Sequence, residues 1–458
     1  MEKRILRQFV DIVGLENIST VAAERYCASY DGTGREYLPE AVVWPSTVDE
    51  VSRIMVVAHR EKVPVVARGA GSGMTGGALP ISGGLVMAMA RFTRIISIDQ
   101  ANQTAIVEPG VVTGVLQAEV RRYGLFYPPD PASLKFCTIG GNVAEGAGGP
   151  SAVKYGVTRD YVKGLEVVLA DGRVIHTGVR TDKGVVGYDL TRLFVGSEGT
   201  LGVITKIILR LIPQPQAKET FLVLLDSMAT AAVLVAKVLT RFTPCTLEFM
   251  DRTAIAIVAD QLPMALPAGT EAILLIELDG TVAAVASEGV DLQGFLADQA
   301  GVRLVRQASD QAEVERLWAA RRGVSPAAFS LRPHKVSEDV VVPRTRIPEL
   351  VACAEGLARE LDLVIFCFGH AGDGNIHVNI MLDRADPRQA ANAESAKQRL
   401  FARVIELGGT LSGEHGVGIT KADFLGLELD QATIEVMKTI KQALDPANIL
   451  NPGKIFRN

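Results

Sequence analysis

The sequence predicts an α+β protein of two main lobes, and three observations predict it. Through the first half, short β-rich runs alternate with glycine turns and a few helical stretches. At Pro213–Gln216 (PQPQ) two prolines disfavour regular structure, and beyond them longer strands and helices take over, in the pattern of helices packed on an antiparallel sheet. The tail returns to glycine-rich loops and ends in DPANILNPGKIF. This divides the chain into residues 1–216 (core 38–213), 217–400, and a C-terminal helical segment, 401–458.

The elements follow in order. MEKRILRQFVDIVG places Ile5, Leu6, Phe9 and Ile12 or Val13 at helical spacing, with Glu2 and Asp11 interrupting. That is an amphipathic surface helix, not the apolar core of a signal peptide or an acid-poor transit peptide. Ala41–Pro45 reads as a strand ended by proline. The helix after it can be capped by Ser46 or Thr47, and Glu50 falls at capping-box distance from Thr47. Val63–Arg68 is the next strand and runs straight into glycines. Further strands are expected at Leu85–Met89, Ile95–Ile98, Thr104–Val107, Leu165–Leu169, Arg173–His176 and Val203–Leu211. Past the boundary, Phe221–Leu225 and Ala272–Leu278 read as strands of one sheet, and Met228–Phe242 and Ile347–Leu361 as helices.

Composition removes several function classes. The chain has 458 residues, 48% hydrophobic, so core burial is not limiting, and its net charge of -5 comes without a basic stripe, which excludes nucleic acid as the expected partner. None of the five cysteines sits at CxxC spacing, so no iron–sulfur cluster, zinc ribbon or disulfide framework is expected, and a reducing, cytoplasmic setting is. No apolar run reaches the roughly 18 residues a membrane span needs.

RGAGSGMTGGA (Arg68–Ala78) carries Gly71, Gly73 and Gly76 in a GxGxxG pattern. A Rossmann reading requires a long helix directly afterwards, but LPISGGL follows, with Pro80, Gly83 and Gly84 in the way. What remains is a run of exposed N–H groups, an anion nest suited to a diphosphate. TIGGNVAEGAGG (Thr138–Gly149), preceded by PPDPAS (Pro128–Ser133), and VGSEGTLGVIT (Val195–Thr205) add two more glycine clusters, and three in one lobe imply one extended ligand.

These motifs, with KYG (Lys154–Gly156), in this order and spacing resemble the FAD domain of the vanillyl-alcohol oxidase/p-cresol methylhydroxylase superfamily. Within it the chain is similar to the group of glycolate oxidase large subunits, D-lactate dehydrogenases and D-2-hydroxyglutarate dehydrogenases, from about Leu38 to the C-terminus. The resemblance implies a two-part α+β FAD-binding domain, a ferredoxin-like α+β substrate domain and a 401–458 segment that packs back on the FAD domain. It implies that Arg68, Gly69, Ala70, Gly71, Ser72, Gly73, Gly76 and Gly77 hold the FAD diphosphate. Pro129, Asp130 and Ser133 would lie near the isoalloxazine and ribityl parts, Thr138, Gly141, Asn142 and Gly148 would continue the cradle, and Glu198, Gly199 and Ile204 would contact the adenine side. The diphosphate loop lacks the histidine to which some members attach FAD, so FAD is expected to be non-covalent; Cys137 is the one other conceivable attachment point.

The second half holds the chemistry. In VIFCFGHAGDGNIHVNIM, Val364–Phe368 and Ile376–Met381 read as two strands of a hairpin, with AGDGN as a loop whose two glycines supply positive φ. His370 and His377 can then point at one spot, with Asn379 on the same face as His377. SGEHGVG supplies Glu414 and His415. Only six histidines exist and three fall in these motifs; two imidazoles and a carboxylate suit a divalent metal with open positions. The resemblance implies His370, His377 and Glu414 as ligands, His415 as the base and Asn379 beside the substrate. Zinc is the first choice, with iron(II) and manganese as alternatives.

By the same resemblance, Arg321, Ser325 and Lys335 bind substrate, and an arginine suits a planar carboxylate through its bidentate fork. Ser325 stands where dicarboxylate specialists carry Thr, and HKVSEDVVVP resembles the lactate/glycolate branch, so D-lactate is favoured over D-2-hydroxyglutarate. Reduced flavin needs a separate electron acceptor: an electron-transfer flavoprotein, an iron–sulfur subunit, a quinone or a cytochrome, through which the protein could sit peripherally at a membrane. A homodimer is compatible with the sequence. Competing readings are a metal-free flavin oxidase, a metal-dependent hydrolase that would be colourless, and a cofactor-binding subunit with a silent site.

Overall fold

The computed structural model describes residues 1–456, which form two compact units. The first comprises Met1–Gly148, Val157–Gln214 and the chain from Glu414; the second comprises Gly149–Gly156 and Pro215–Gly413. The division thus falls inside the 401–458 segment, because the helix Pro387–Glu406 carries residues 401–406 along in the second unit.

In the first unit, β1 (Ile18–Ser19), β2 (Ala41–Val43), β3 (Val65–Arg68) and β4 (Leu85–Ala88) form a sheet of order β1-β2-β4-β3, with β2 and β3 parallel to β4. The crossover helix Val48–Glu61 joins β2 to β3. Thr47 caps it by accepting the Glu50 N–H at 3.2 Å. Glu50 reaches back to the N–H of Ser46 at 2.6 Å, one residue before the cap, so the expected box closes one residue early. The helix buries Val51, Ile54, Met55 and Ala58 against the sheet, beside Ile5, Phe9 and Val13 of the N-terminal helix Lys3–Val13. Each fully buried apolar side chain of this kind contributes about 1.5–3 kcal/mol.

A second, antiparallel sheet holds β5 (Ile95–Asp99), β6 (Thr104–Val107), β8 (Val162–Val168), β9 (Val174–Gly178) and β10 (Val203–Arg210), in the order β5-β6-β10-β8-β9; β7 (Leu125–Phe126) pairs with β11 (Ile212–Pro213). The tail returns to the first sheet. Val65 donates its N–H to Ile449 at 2.7 Å, and Asn451 donates to the Val65 carbonyl at 2.8 Å.

The second unit is built on one antiparallel sheet of seven strands: β12 (Ala217–Leu225), β13 (Thr246–Asp251), β14 (Ala272–Gly280), β15 (Val302–Gln307), β16 (His334–Val341), β17 (Val364–His370) and β18 (Asn375–Leu382). Their order is β15-β12-β14-β13-β17-β18-β16. Side chains alternate between its faces. On one face Leu222, Leu224, Met250, Phe366, Phe368 and Met381 pack with Leu317, Ala320 and Val324 of the helix Gln311–Ala327. Phe221, Val223, Leu247, Phe249, Leu274 and Ile276, of opposite parity, are also buried, so both faces are covered. Lys154 and Tyr155 of KYG belong to this unit, where both bind Asp279, at 2.6 and 2.8 Å.

Candidate active site

In the first unit the glycine loop leaves β3 at Arg68. The Arg68 guanidinium is buried and donates to the carbonyls of Tyr30 (2.7 Å) and Ala78 (3.4 Å), closing the loop at its base. Gly71 (φ +66°) and Gly76 (φ +87°) take left-handed conformations, and a Cβ on Gly76 would lie 2.5 Å from Ile419. Among the described residues, the N–H groups of Ala70 through Thr75 donate to no backbone carbonyl. They are donors for an anion, as the nest reading requires.

The other clusters are tied to this loop. Thr138 caps the helix Ile139–Glu145, accepting the Gly141 N–H at 3.3 Å, and its hydroxyl lies where a Cβ on Gly69 would be. Asn142 is buried and donates to Thr113 Oγ1 at 2.8 Å. Glu198, at φ +53°, donates its N–H to Ala144 and accepts those of Val417 (2.7 Å) and Gly418 (2.8 Å). Gly199 is left-handed at φ +68°, and Ile204 is buried in β10. Pro129 accepts Gln117 Nε2 at 2.9 Å, the Ser133 carbonyl accepts the N–H groups of Phe136 and Cys137, and Asp130 stands between them in the chain. A Cβ on Gly148 would lie 2.8 Å from a Glu414 carboxylate oxygen.

Sequence reasoning missed four residues here. Asn451 donates to the carbonyls of Gly77 (2.8 Å) and Glu198 (2.7 Å), and Lys454 donates to Leu79 at 2.6 Å. The tail thus clamps two of the glycine clusters together; the turn signals of NPGK were the only hint. Asp31 and Glu145 are the other two, and each keeps one buried carboxylate oxygen without a hydrogen-bond partner. Burial, with Glu198 and Asp31 near by, pushes the Glu145 carboxyl well above the usual range; burial lowers Lys454 to about 8. Unmet buried polar atoms beside a glycine cradle mark a place for a polar ligand, and the cradle fits the diphosphate-bearing FAD.

His415 and Glu414 open the C-terminal stretch of this unit. Their side chains stand 3.9 Å apart, 22% and 15% exposed, and the His415 carbonyl accepts the Thr75 hydroxyl at 3.0 Å.

In the second unit the hairpin brings the two histidines together. His377 pairs across strands with Phe368, two residues from His370, so both imidazoles project from one face, with ring centroids 5.1 Å apart and planes at 84°. The turn needs its glycines for different reasons. Gly374 is left-handed (φ +86°), whereas a Cβ on Gly372 would lie 2.5 Å from Val153. Asn379 shares the face, donating to the His377 carbonyl (3.1 Å) and accepting Ser337 Oγ (3.0 Å).

Two carboxylates stand behind the histidines. Glu248, register partner of His370 on β13, takes His370 Nδ1 on Oε1 at 2.5 Å and Arg321 Nε and Nη2 on Oε2 at 2.7 and 2.5 Å. Burial opposes its ionisation, but Arg321 and His370 outweigh burial and hold its carboxyl below the usual range. Asp339, register partner of His377, lies 3.8 Å from His377 Nδ1 and accepts Asn375 Nδ2 (2.5 Å) and the Gly413 N–H (2.9 Å). Gly413 precedes Glu414 by one peptide bond. Two imidazoles on one face, one of them hydrogen-bonded through Nδ1 to a carboxylate, are a donor set that fits a divalent cation.

The substrate candidates gather on the same face. Arg321 lies over the Phe368 ring at 4.5 Å. Ser325, one helical turn on, accepts Lys335 Nζ at 2.5 Å. Burial lowers the Lys335 ammonium, and among the described residues no carboxylate lies within ion-pair distance of it.

Residues 39–178 match the FAD binding domain model, and residues 214–455 match the model for FAD linked oxidases, C-terminal domain. The chain belongs to this FAD-linked oxidase family. Its relatives within the family include glycolate oxidase subunits and D-lactate dehydrogenases. Glycolate oxidase subunit GlcD of Bacillus subtilis is 43% identical over 456 residues, 99% of this chain and 97% of that protein. The Escherichia coli K12 subunit of the same name is 38% identical over 91% of this chain and 83% of its own. A D-lactate dehydrogenase of Anaerostipes hadrus is 34% identical over 91% and 89%. The fold is that of p-cresol methylhydroxylase, whose substrate-bound crystal structure matches with TM-score 0.82 at 19% identity over 99% of this chain and 96% of that one. No helix among the described residues is long and apolar enough to cross a membrane.

Proposed function

We propose that the protein is an FAD- and metal-dependent dehydrogenase that oxidises a small D-2-hydroxy acid to the 2-oxo acid, with D-lactate the favoured substrate. One observation carries the substrate class: Lys335, on the same sheet as the histidine pair, is a half-buried ammonium met by the Ser325 hydroxyl and the Phe329 ring and by no carboxylate. A partly desolvated cation without a counter-charge favours an anionic ligand, here the substrate carboxylate. Arg321 shares this task through the guanidinium edge that Glu248 leaves open.

FAD, held without a covalent bond by the residues 68–77 loop and its neighbours, supplies the hydride acceptor. A divalent metal, zinc by preference, held by His370, His377 and Glu414, supplies the Lewis acidity that brings an aliphatic hydroxyl within reach of imidazole. His415 then removes the hydroxyl proton, and Asn379 orients the substrate. Electrons leave to a separate acceptor, and the protein works in the cytoplasm or at a membrane through that acceptor. Glycolate is a second reading, favoured by the two relatives named glycolate oxidase subunits. Anaerobic flavin reduction with D-lactate, glycolate and D-2-hydroxyglutarate in parallel decides between them. The expected order puts D-lactate first. A faster reaction with glycolate transfers the assignment, and no reduction by any of the three removes the hydroxy-acid reading.

A further inference from the structure

Glu248 is fully buried and makes three short polar contacts, two of them to a permanently charged guanidinium. A carboxylate so placed is ionised and accepts only. His370 must therefore carry its proton on Nδ1, which leaves the Nε2 lone pair on the opposite edge of the ring. The two oxygens divide the work. Oε1 faces the histidine, while Oε2 takes both Nε and Nη2 of Arg321 and leaves Nη1 as the arginine's open edge. Asp339 differs: its oxygens accept from Asn375, Ser412 and Gly413, and it stands 3.8 Å from His377, beyond hydrogen-bond range.

We infer that Glu248 is the positioning residue of the site, one carboxylate that fixes the Nδ1–H tautomer of His370 for metal binding through Nε2 and sets which edge of Arg321 meets the substrate carboxylate. This rests on the reading of His370 as a metal ligand.

The test uses the FAD-loaded full chain, stripped of metal. Long-range ¹H–¹⁵N spectra report the His370 tautomer, and zinc titration reports affinity. In Glu248→Gln the tautomer preference of His370 is lost, and zinc affinity falls about 10- to 100-fold, the usual effect of removing the partner behind a metal-binding histidine. Because that variant leaves the Arg321 charge buried and unpaired, Glu248→Gln/Arg321→Met is measured beside it. Removing a nearby cation by itself favours a dication, so weaker zinc binding in the double variant belongs to Glu248. Wild-type tautomer and wild-type zinc affinity in both variants overturn the inference. Failure of the wild-type protein to bind zinc overturns the metal reading instead; the tautomer spectra then decide the positioning role of Glu248 alone.

Discussion

Replacing His415 with Ala separates catalysis from structure because the main chain around it is held independently of the imidazole. The His415 carbonyl accepts the Thr75 hydroxyl at 3.0 Å, and the next two residues but one are fixed by Glu198, which accepts the N–H groups of Val417 and Gly418. None of these bonds involves the side chain removed, which is 22% exposed. The expected stability change is therefore small, about 0.5 kcal/mol in either direction. Loss of a general base costs about 10²- to 10⁴-fold in rate, or about 3–5 kcal/mol of barrier. Anaerobic stopped-flow reduction of the bound flavin by saturating substrate measures the rate, and thermal unfolding with flavin and metal content measures the rest. The expected protein is yellow, metal-loaded, equally stable and barely reducible. Reduction near the wild-type rate with both cofactors in place refutes the assignment of His415.

Three further outcomes follow from particular contacts. Asp251 caps the helix Arg252–Ala256 and accepts the Cys367 N–H, and burial raises its carboxyl to about 7. The folded state therefore holds the Asp251 proton more tightly than the unfolded chain. Its contribution is whole below about pH 4 and is lost as pH rises through 7, on the order of 4 kcal/mol in the limit. Urea denaturation across that range is expected to show a steeper decline for the wild type than for Asp251→Asn, and parallel curves refute this. Glu198→Gln replaces one of two N–H acceptors with a donor, and is expected to cost about 1–3 kcal/mol and loosen the stretch after His415, read by denaturation and limited proteolysis. All flavin is expected to pass a filter after denaturation, because Cys137 is buried and engaged with Thr113; retained flavin would show a covalent bond.

How far the sequence could be read depended on whether the constraint was local. Gly71 and Gly76 are legible because a left-handed backbone is imposed within the loop itself, and the histidine pair is legible because a hairpin fixes the separation of its two strands. The Gly372 requirement is not local: it comes from Val153, more than two hundred residues away in the chain, so positive φ was the wrong reason for a correctly placed glycine. Glu248 lies 122 residues from His370, and only the register of β13 on β17 makes them partners; in LEFMD nothing sets it apart from Asp251 as a polar residue of an apolar strand. Arg321 was expected to offer its whole fork to substrate, but the packing of its helix on the sheet gives one edge to Glu248. Asn451 and Lys454 act through backbone carbonyls, which leave no trace in side-chain identity at the receiving end.

The central claim is that flavin, metal and a 2-hydroxy acid meet in one reaction, and the visible spectrum of the purified protein under anaerobic conditions tests it most directly. D-lactate is added before and after chelation, and then again after zinc is restored. The account predicts a flavin band that D-lactate bleaches, that chelation protects from bleaching, and that zinc makes bleachable again. Bleaching unaffected by thorough metal removal contradicts the metal's part in the reaction, and a protein that shows no flavin band even after FAD is added contradicts the account at its base.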